Sequence, residues 1–402
     1  MKTFEQFIQK QNIMKIPKDI LEIADKFYHA NKEIYLVGGC VRDFILGKTP
    51  HDFDLTTNAL PNEIKNILKD YRTDLQGEHF GVVRVFTEET PLGVEIASYR
   101  KDISSGRDTK GTEQKVELGQ HITLSEDLSR RDLTQNGLVY DIKNQKVIDL
   151  VGGVEDIKNK IIRTIGNPSD RFKEDKLRIL RVFRFSARSG FKIDEETSKA
   201  IHNDNRLRGI GPKDDVSQER IVEEFLKMLD SAKSSNSPEM FQKYLILLSE
   251  YDMWKQMFPG LKFNDVKEES LKYDSLQLPV ILANLLSDND IKGIANKLVL
   301  LKFSTDVANK VQFLMTFKKD YLDDEKVYDL LILKQRCNLS DEILKEFGYC
   351  TLLKPEKVEQ FLKYSKLGIT TSGTDLESEG FKGKELGDEK KRREILIYKD
   401  IK

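Results

Sequence analysis

A short apolar run, Ile34-Tyr-Leu-Val37, leads straight into Gly38-Gly39, and two acids one residue apart, Asp52 and Asp54, follow soon after Arg42. The run is β-branched and aromatic, so it reads as a buried strand delivering the chain into a glycine turn. Glycines there let backbone approach a ligand, with N–H groups placed to hold phosphate oxygens. Arg42 adds a planar, permanently charged donor for the same oxygens. On an extended segment side chains alternate between faces, so Asp52 and Asp54 project the same way with Phe53 on the other. Two carboxylates forced together suit Mg²⁺, which prefers carboxylate, water and phosphate oxygens. Read singly, a Gly-Gly pair is an ordinary tight turn and an Asp-x-Asp a solvated loop; read together with Arg42, they point to nucleotidyl transfer from a triphosphate.

In combination, Leu36-Val-Gly-Gly-Cys-Val-Arg-Asp43 and His51-Asp-Phe-Asp54 resemble the signature of the nucleotidyltransferase superfamily that includes DNA polymerase β-like enzymes. Glu126-Asp-Leu-Ser-Arg-Arg-Asp-Leu-Thr-Gln-Asn136 and the stretch Arg171 to Phe185 narrow the resemblance to class II tRNA nucleotidyltransferases and bacterial poly(A) polymerases. It runs from about residue 34 to 230 and returns at Ser372-Gly-Thr-Asp-Leu376 with Gly380, Gly383 and Gly387. The resemblance implies an α/β, polymerase β-like head with a mixed sheet, followed by an all-α neck, body and tail. It implies that Asp52 and Asp54 bind Mg²⁺, that Glu95 assists as a third carboxylate, and that Gly38, Gly39 and Arg42 hold phosphates. Arg131, Arg181 and Arg184 would line the triphosphate and base pocket. The activity implied is addition of CCA to the tRNA 3′ end from CTP and ATP. Close alternatives are a CC-only or A-only enzyme and a poly(A) polymerase; a non-catalytic RNA-binding scaffold is the alternative outside enzymology.

Lys173 to Ser189 reads as one helix, with Leu177, Leu180, Val182, Phe183 and Phe185 supplying apolar surface and Asp175 and Arg178 one turn apart. Arg171 to Lys192 holds eight Lys or Arg against two acids, a basic segment in a chain of net charge −1. Cytosine and adenine each present an exocyclic amino donor beside a ring-nitrogen acceptor, which an Asp acceptor and an Arg donor satisfy. Uracil and guanine reverse that pattern and would leave buried groups unpaired. The resemblance assigns this selection to Asp175 and Arg178. Two departures from the family pattern stand out: Asn136-Gly137 where Asn-Ala is usual, and Asp149-Leu-Val-Gly-Gly153 where Asp-Pro-x-Gly-Gly is usual.

With 402 residues, several domains are expected: a head over 1–150, a neck over 151–192, a body over 193–300 and a tRNA-binding tail over 301–402. Strands are expected at Ile34–Val37, Phe53–Thr56, Val82–Phe86, Val94–Tyr99 and Gly137–Asp141, and a mobile loop at Lys101–Gln120. Ser217 reads as a helix N-cap. The segment Lys390-Lys-Arg-Arg393 is either an RNA-facing patch or a solvated helix face. Three scattered cysteines and five histidines form no disulfide framework and no zinc spacing. No run approaches the roughly 18 apolar residues of a membrane span. The N-terminus lacks a signal-peptide core. A cytoplasmic enzyme acting on tRNA, CTP and ATP, with no membrane or protein partner, is the expectation.

Overall fold

Short apolar runs separated by turns build a sheet only if each finds neighbours for its backbone, and the computed structural model shows where they go. It describes residues 13–50, 52–74, 81–102, 116–207, 216–264 and 275–401. The chain forms two compact units, Met1–Val216 and Ser217–Lys402.

The first unit carries a seven-stranded mixed sheet in the order β3-β4-β5-β2-β1-β8-β9. Its strands are β1 (Ile34–Val37), β2 (Asp54–Thr57), β3 (Arg72–Asp74), β4 (Val82–Phe86), β5 (Val94–Ser98), β8 (Leu138–Asp141) and β9 (Lys146–Asp149). β2 runs antiparallel to β1 and parallel to β5, and the other pairings are antiparallel. Between β5 and β8 lie β6 (Arg100–Asp102) and β7 (Val116–Leu118), paired as a separate two-stranded ribbon; the loop they bracket falls largely outside the described residues. Helices α1 (Lys18–His29), α2 (Gly39–Ile45), α3 (Pro61–Ile67) and α4 (Leu124–Ser129) are interleaved with the strands.

The registers place one residue from each strand in a single row across the sheet. Asp74 pairs with Arg84, and Arg84 with Glu95. Glu95 precedes Ile96, the partner of Leu55, and so lies beside Asp54. Asp54 pairs with Val37, Val37 with Val139 and Val139 with Ile148. Paired residues share a face, so this row is charged in one half and apolar in the other. Val37, Val139 and Leu128 of α4 form a buried cluster, with Ile148 packed against it.

Beyond β9 come α5 (Gly153–Asn159), α6 (Pro168–Glu174), α7 (Leu177–Ser189) and α8 (Glu195–Asn203), with two-residue strands Ile161–Ile162 and Lys192–Ile193 paired in parallel. The helix read as continuous from Lys173 is therefore two helices. Asp175 breaks it with an extended backbone, φ −151° and ψ 106°, and its carboxylate accepts the N–H of Leu177 at 3.1 Å. A short acidic side chain that satisfies a nearby backbone donor competes with the helix ladder, which is why the periodic pattern continues while the helix does not.

Both departures from the family pattern have a local account. Asp149 accepts the N–H groups of Val151, Gly152, Gly153 and Val154, which caps α5, and Leu150 beside it is 51% exposed. Gly153 is required for close approach, since a Cβ there would stand 2.2 Å from the Thr134 carbonyl oxygen. A Cβ at Gly137 would crowd two side-chain methyls, of Ile165 and Val151, each at 2.9 Å, and would meet the Thr134 carbonyl oxygen at an ordinary contact distance of 3.6 Å. Gly137 closes a 3₁₀ turn, Thr134–Asn136, ahead of β8.

The second unit, among its described residues, contains helices only, beginning with Gln218–Ser234 and ending with Gly383–Asp400. Ser217 caps the first, accepting the N–H of Arg220 at 3.4 Å. Phe225 is ringed by Phe241, Tyr244 and Phe258 at centroid distances of 5.5 to 6.1 Å, an aromatic core for the first helices of this unit. Glu394, fully buried, accepts from Thr370, Thr371 and Tyr364 and pins the preceding loop to the last helix.

Replacing Gly153 by Ala is expected to cost about 2 kcal/mol or more, because a backbone carbonyl cannot step aside. Gly137→Ala should cost clearly less, because methyl groups yield. Urea unfolding of the two variants checks the order.

Candidate active site

Gly38 ends β1 in a left-handed conformation, φ +81°, that turns the chain into α2. Its N–H does not stay open for a ligand, as the sequence reading expected, but donates to the Leu138 carbonyl at 3.1 Å and ties the turn to β8. Gly39 opens α2, where first-turn N–H groups lack intrahelical acceptors. A Cβ at Gly39 would approach Arg42 Nη2 at 3.7 Å. Cys40 is buried, donates to the Val37 carbonyl at 3.5 Å, and has its thiol pKa pushed up to about 12 by burial and by Asp54.

Asp52 and Asp54 are both exposed, with Phe53 buried between them. Protein crowds Asp54 on all but its open side. That burial, reinforced by the neighbouring charges of Glu95 and Asp52 against a smaller opposing pull from Arg131, raises its pKa to about 6. Glu95 faces the same region and accepts from Arg84 Nη2 at 2.5 Å. Like-charged carboxylates held together by a sheet suit a divalent cation, and two carboxylates completed by substrate phosphates and water are a normal Mg²⁺ set. Among the described residues no three His, Cys, Asp or Glu side chains converge into a full protein cage.

Beside the carboxylates the arginines form a network. Arg42, 7% exposed, donates to Asp43 through Nε and Nη2 at 2.9 and 2.8 Å, and through Nη1 to Asn136 Oδ1 at 3.1 Å. Asn136 donates in turn to Asp132 at 3.1 Å, and Asp132 accepts from Arg181 Nε at 2.7 Å. Burial alone would raise the Asp132 pKa, but Arg181 and Asn136 outweigh it and hold the carboxyl at about 2. The Phe185 ring sits under three guanidinium groups, those of Arg42, Arg181 and Arg184, at 5.7, 5.6 and 4.5 Å from its centroid. Residues far apart in sequence are thus gathered on one wall.

Arg131 is fixed by a residue that the sequence reading passed over. Asp127, fully buried, accepts from Arg131 at 3.1 Å, from Arg130 at 2.6 Å, from the Arg100 N–H and from Thr56. Burial opposes its ionisation, yet Arg131 and Arg130 keep its pKa below the usual carboxylate range. The signal was present in the sequence, since Arg130 and Arg131 follow Asp127 at the three- and four-residue spacing that brings side chains together over one helical turn. Asp132 and Asn136, in the same Glu126–Asn136 stretch, link Arg181 to Arg42 in the same way.

Arg178 is buried and donates to Glu174 and to the carbonyls of Arg171 and Arg130, at 2.5, 3.0 and 3.3 Å. Arg171 holds the carbonyls of Arg130 and Arg131 as well, docking α6 and α7 on the Arg130-Arg131 turn. Asp175 stands at the break between those helices, and its carbonyl accepts the Arg178 N–H at 3.1 Å, which keeps the two residues one turn apart. In the second unit the Lys390-Lys-Arg-Arg393 run is largely neutralised from within. Lys391 pairs with Asp329, Arg392 with Glu389, and Arg393 with Glu379 and Glu389. His51 lies outside the described residues.

Known proteins resemble this chain in sequence and in fold. Residues 34–163 match the family described as poly A polymerase head domain, and residues 190–264 match the one described as probable RNA and SrmB-binding site of polymerase A. The chain thus carries a poly(A) polymerase head domain and, after it, the RNA-binding segment described for that polymerase. Poly(A) polymerase I of Salmonella typhi is 35% identical over 275 residues, covering 64% of this chain and 56% of that protein. The CCA-adding enzyme of Ligilactobacillus salivarius is 37% identical over 262 residues, covering 64% of this chain and 61% of that protein. The chain thus spans about three fifths of the length of these relatives. In fold it is similar to the Bacillus stearothermophilus CCA-adding enzyme crystallised with CTP, with a TM-score of 0.66 and 23% identity over 95% of this chain and 91% of that one. The family's head and helical body are therefore both present.

The raised pKa of Asp54 has a thermodynamic sign. The folded carboxyl keeps its proton up to about pH 6, whereas an unfolded Asp releases it near about 3.9. Folding therefore binds protons in that window, and stability without divalent cations falls as pH rises through it. Asp54→Asn should raise the melting temperature at pH 7.5 in the presence of EDTA and give no gain at pH 4; thermal unfolding at the two values checks it.

Proposed function

We propose that this chain is a tRNA nucleotidyltransferase that adds CCA to the tRNA 3′ end from CTP and ATP, releases pyrophosphate, uses the protein as template and requires Mg²⁺. The observation that carries the reading is the carboxylate group Asp52, Asp54 and Glu95 set against the Arg42 turn, in a family whose relatives include CCA-adding enzymes.

Asp52 and Asp54 would hold the cation, with Glu95 assisting. Bound there, the cation supplies charge neutralisation at the triphosphate and activation of the RNA 3′ hydroxyl. Gly38 shapes the turn, and Gly39, Arg42, Arg131, Arg181 and Arg184 bind the triphosphate. The Asp127 and Asp132 anchors hold Arg131 and Arg181 in place before substrate arrives, so little reorganisation accompanies binding. Asp175 and Arg178 select the base by presenting an acceptor and a donor to C or A. Residues 1–150 act as the catalytic head, 151–192 as the neck carrying the selecting helix, 193–300 as the body, and 301–402 as the tail that grips the tRNA acceptor and T arms. No described helix is long and apolar enough to cross a membrane, in keeping with work in the cytoplasm.

A second reading, poly(A) polymerase, is favoured by the 35% identity to proteins of that name. Incorporation on a tRNA lacking its last three nucleotides separates the two. CCA addition predicts two additions with CTP alone and three with CTP and ATP; a long adenosine tail would establish the polymerase instead. A stall after two additions, or addition only to a CC-ending tRNA, would name a partial enzyme, and no incorporation would favour a scaffold. Asp52→Ala should lower incorporation by about a thousandfold or more while leaving tRNA retention on a filter unchanged. Retained incorporation would remove Asp52 from the cation site.

A further inference from the structure

Arg84 is the one cation of the cross-sheet row, flanked by Asp74 on one side and Glu95 on the other, and the proposed chemistry uses neither it nor Asp74. It stands directly opposite Glu95, and its Nη2 lies 2.5 Å from Glu95 Oε1. Its stem is steered there by a missing side chain: a Cβ on Gly93 would lie 2.6 Å from Arg84 Cγ and 2.8 Å from Cδ. Gly93, at φ +89°, therefore leaves open the channel along which the guanidinium reaches the carboxylate. The two side chains are 48% and 46% exposed, so the pair is not a buried strut. On the far side of Glu95 comes Asp54, which also feels the charge of Asp52. One guanidinium is thus set into a line of acids, in contact with the oxygen that a cation at Asp54 would also draw.

We propose that Arg84 is the counter-ion built into the carboxylate site: it competes with a divalent cation for Glu95 and so sets how tightly that cation is held. The inference rests on the reading of Asp52, Asp54 and Glu95 as a cation site. Two effects act in the same direction. A guanidinium a few ångströms away repels the incoming charge, and the Glu95 oxygen engaged by Nη2 must be released or shared before it turns to a metal. Arg84 is in this sense a positioning residue that acts through Glu95.

Mn²⁺ binding to the full chain, followed by the electron paramagnetic resonance of free Mn²⁺, tests the proposal without relying on turnover. Arg84→Met keeps the stem and removes the charge, and it should tighten Mn²⁺ about three- to tenfold, the size expected for one charge at this range in a solvated cleft. Arg84→Lys keeps the charge and should stay within about twofold of wild type, a contrast that loss of packing would not produce. In a Glu95→Gln background the effect of Arg84→Met should shrink, because the residue through which it acts is neutral. Should Arg84→Met fail to fold, as judged by its melting temperature, Arg84→Gln takes its place. Wild-type binding with unchanged or weaker affinity in the folded variant overturns the proposal alone. Absence of Mn²⁺ binding to the wild type overturns the cation site with it.

Discussion

The structure depends on the two-sided pairing of β2. Hydrogen-bonded antiparallel to β1 on one edge and parallel to β5 on the other, this four-residue strand brings three distant segments to one place. The antiparallel side sets the glycine turn beside Asp54, and the parallel side sets Glu95 there. A one-residue slip on either side would turn the acids to the opposite face, so the register carries the chemistry. What secures the register is the apolar half of the same row, where Val37 and Val139 lie beneath Leu128 with no access to water. The charged half can remain crowded and half solvated because the other half supplies the burial.

A second layer of organisation is ionic. Asp127, a buried acid, holds Arg130 and Arg131, and Asp132, half-buried, holds Arg181; each remains ionised in spite of its enclosure because those arginines are close. The energetic logic is that of a network in which every member is satisfied, so that it orients its donors instead of merely tolerating them. Arg42, Asn136, Asp132 and Arg181 form one hydrogen-bonded chain across the wall, and Phe185 gives three of the guanidinium groups a common face. A triphosphate meets a cationic surface whose side chains are already fixed.

Much of this was legible in the sequence, for identifiable reasons. Strands with alternating apolar residues, such as Val82–Phe86 and Val94–Ser98, announce themselves by period, and the glycine turn and paired acids by residue type. β3, written Arg72-Thr-Asp74, has no apolar member and sits at the edge of the sheet, so periodicity does not find it. The interruption at Asp175 was hidden because the spacing of apolar residues is the same whether one helix or two carry them. The ionic chain was hidden for another reason. Arg42 and Asn136 lie 94 residues apart and Asp132 and Arg181 49 apart, and local patterns hold no information on such partners. Asp127 is the exception, since its two arginine partners follow it within four residues and are legible from the spacing.

Cys40 sits in the glycine turn, next to Asp54, which would ordinarily make it a vulnerable point. Alkylation and peroxide oxidation both proceed through the thiolate and need access to the sulfur. Here the sulfur is enclosed, its proton is given to the Val37 carbonyl, and Asp54 nearby further opposes a second negative charge. The turn can thus carry a cysteine as a compact filler without acquiring a redox liability, and the site keeps its shape whether the surrounding solution is reducing or oxidising.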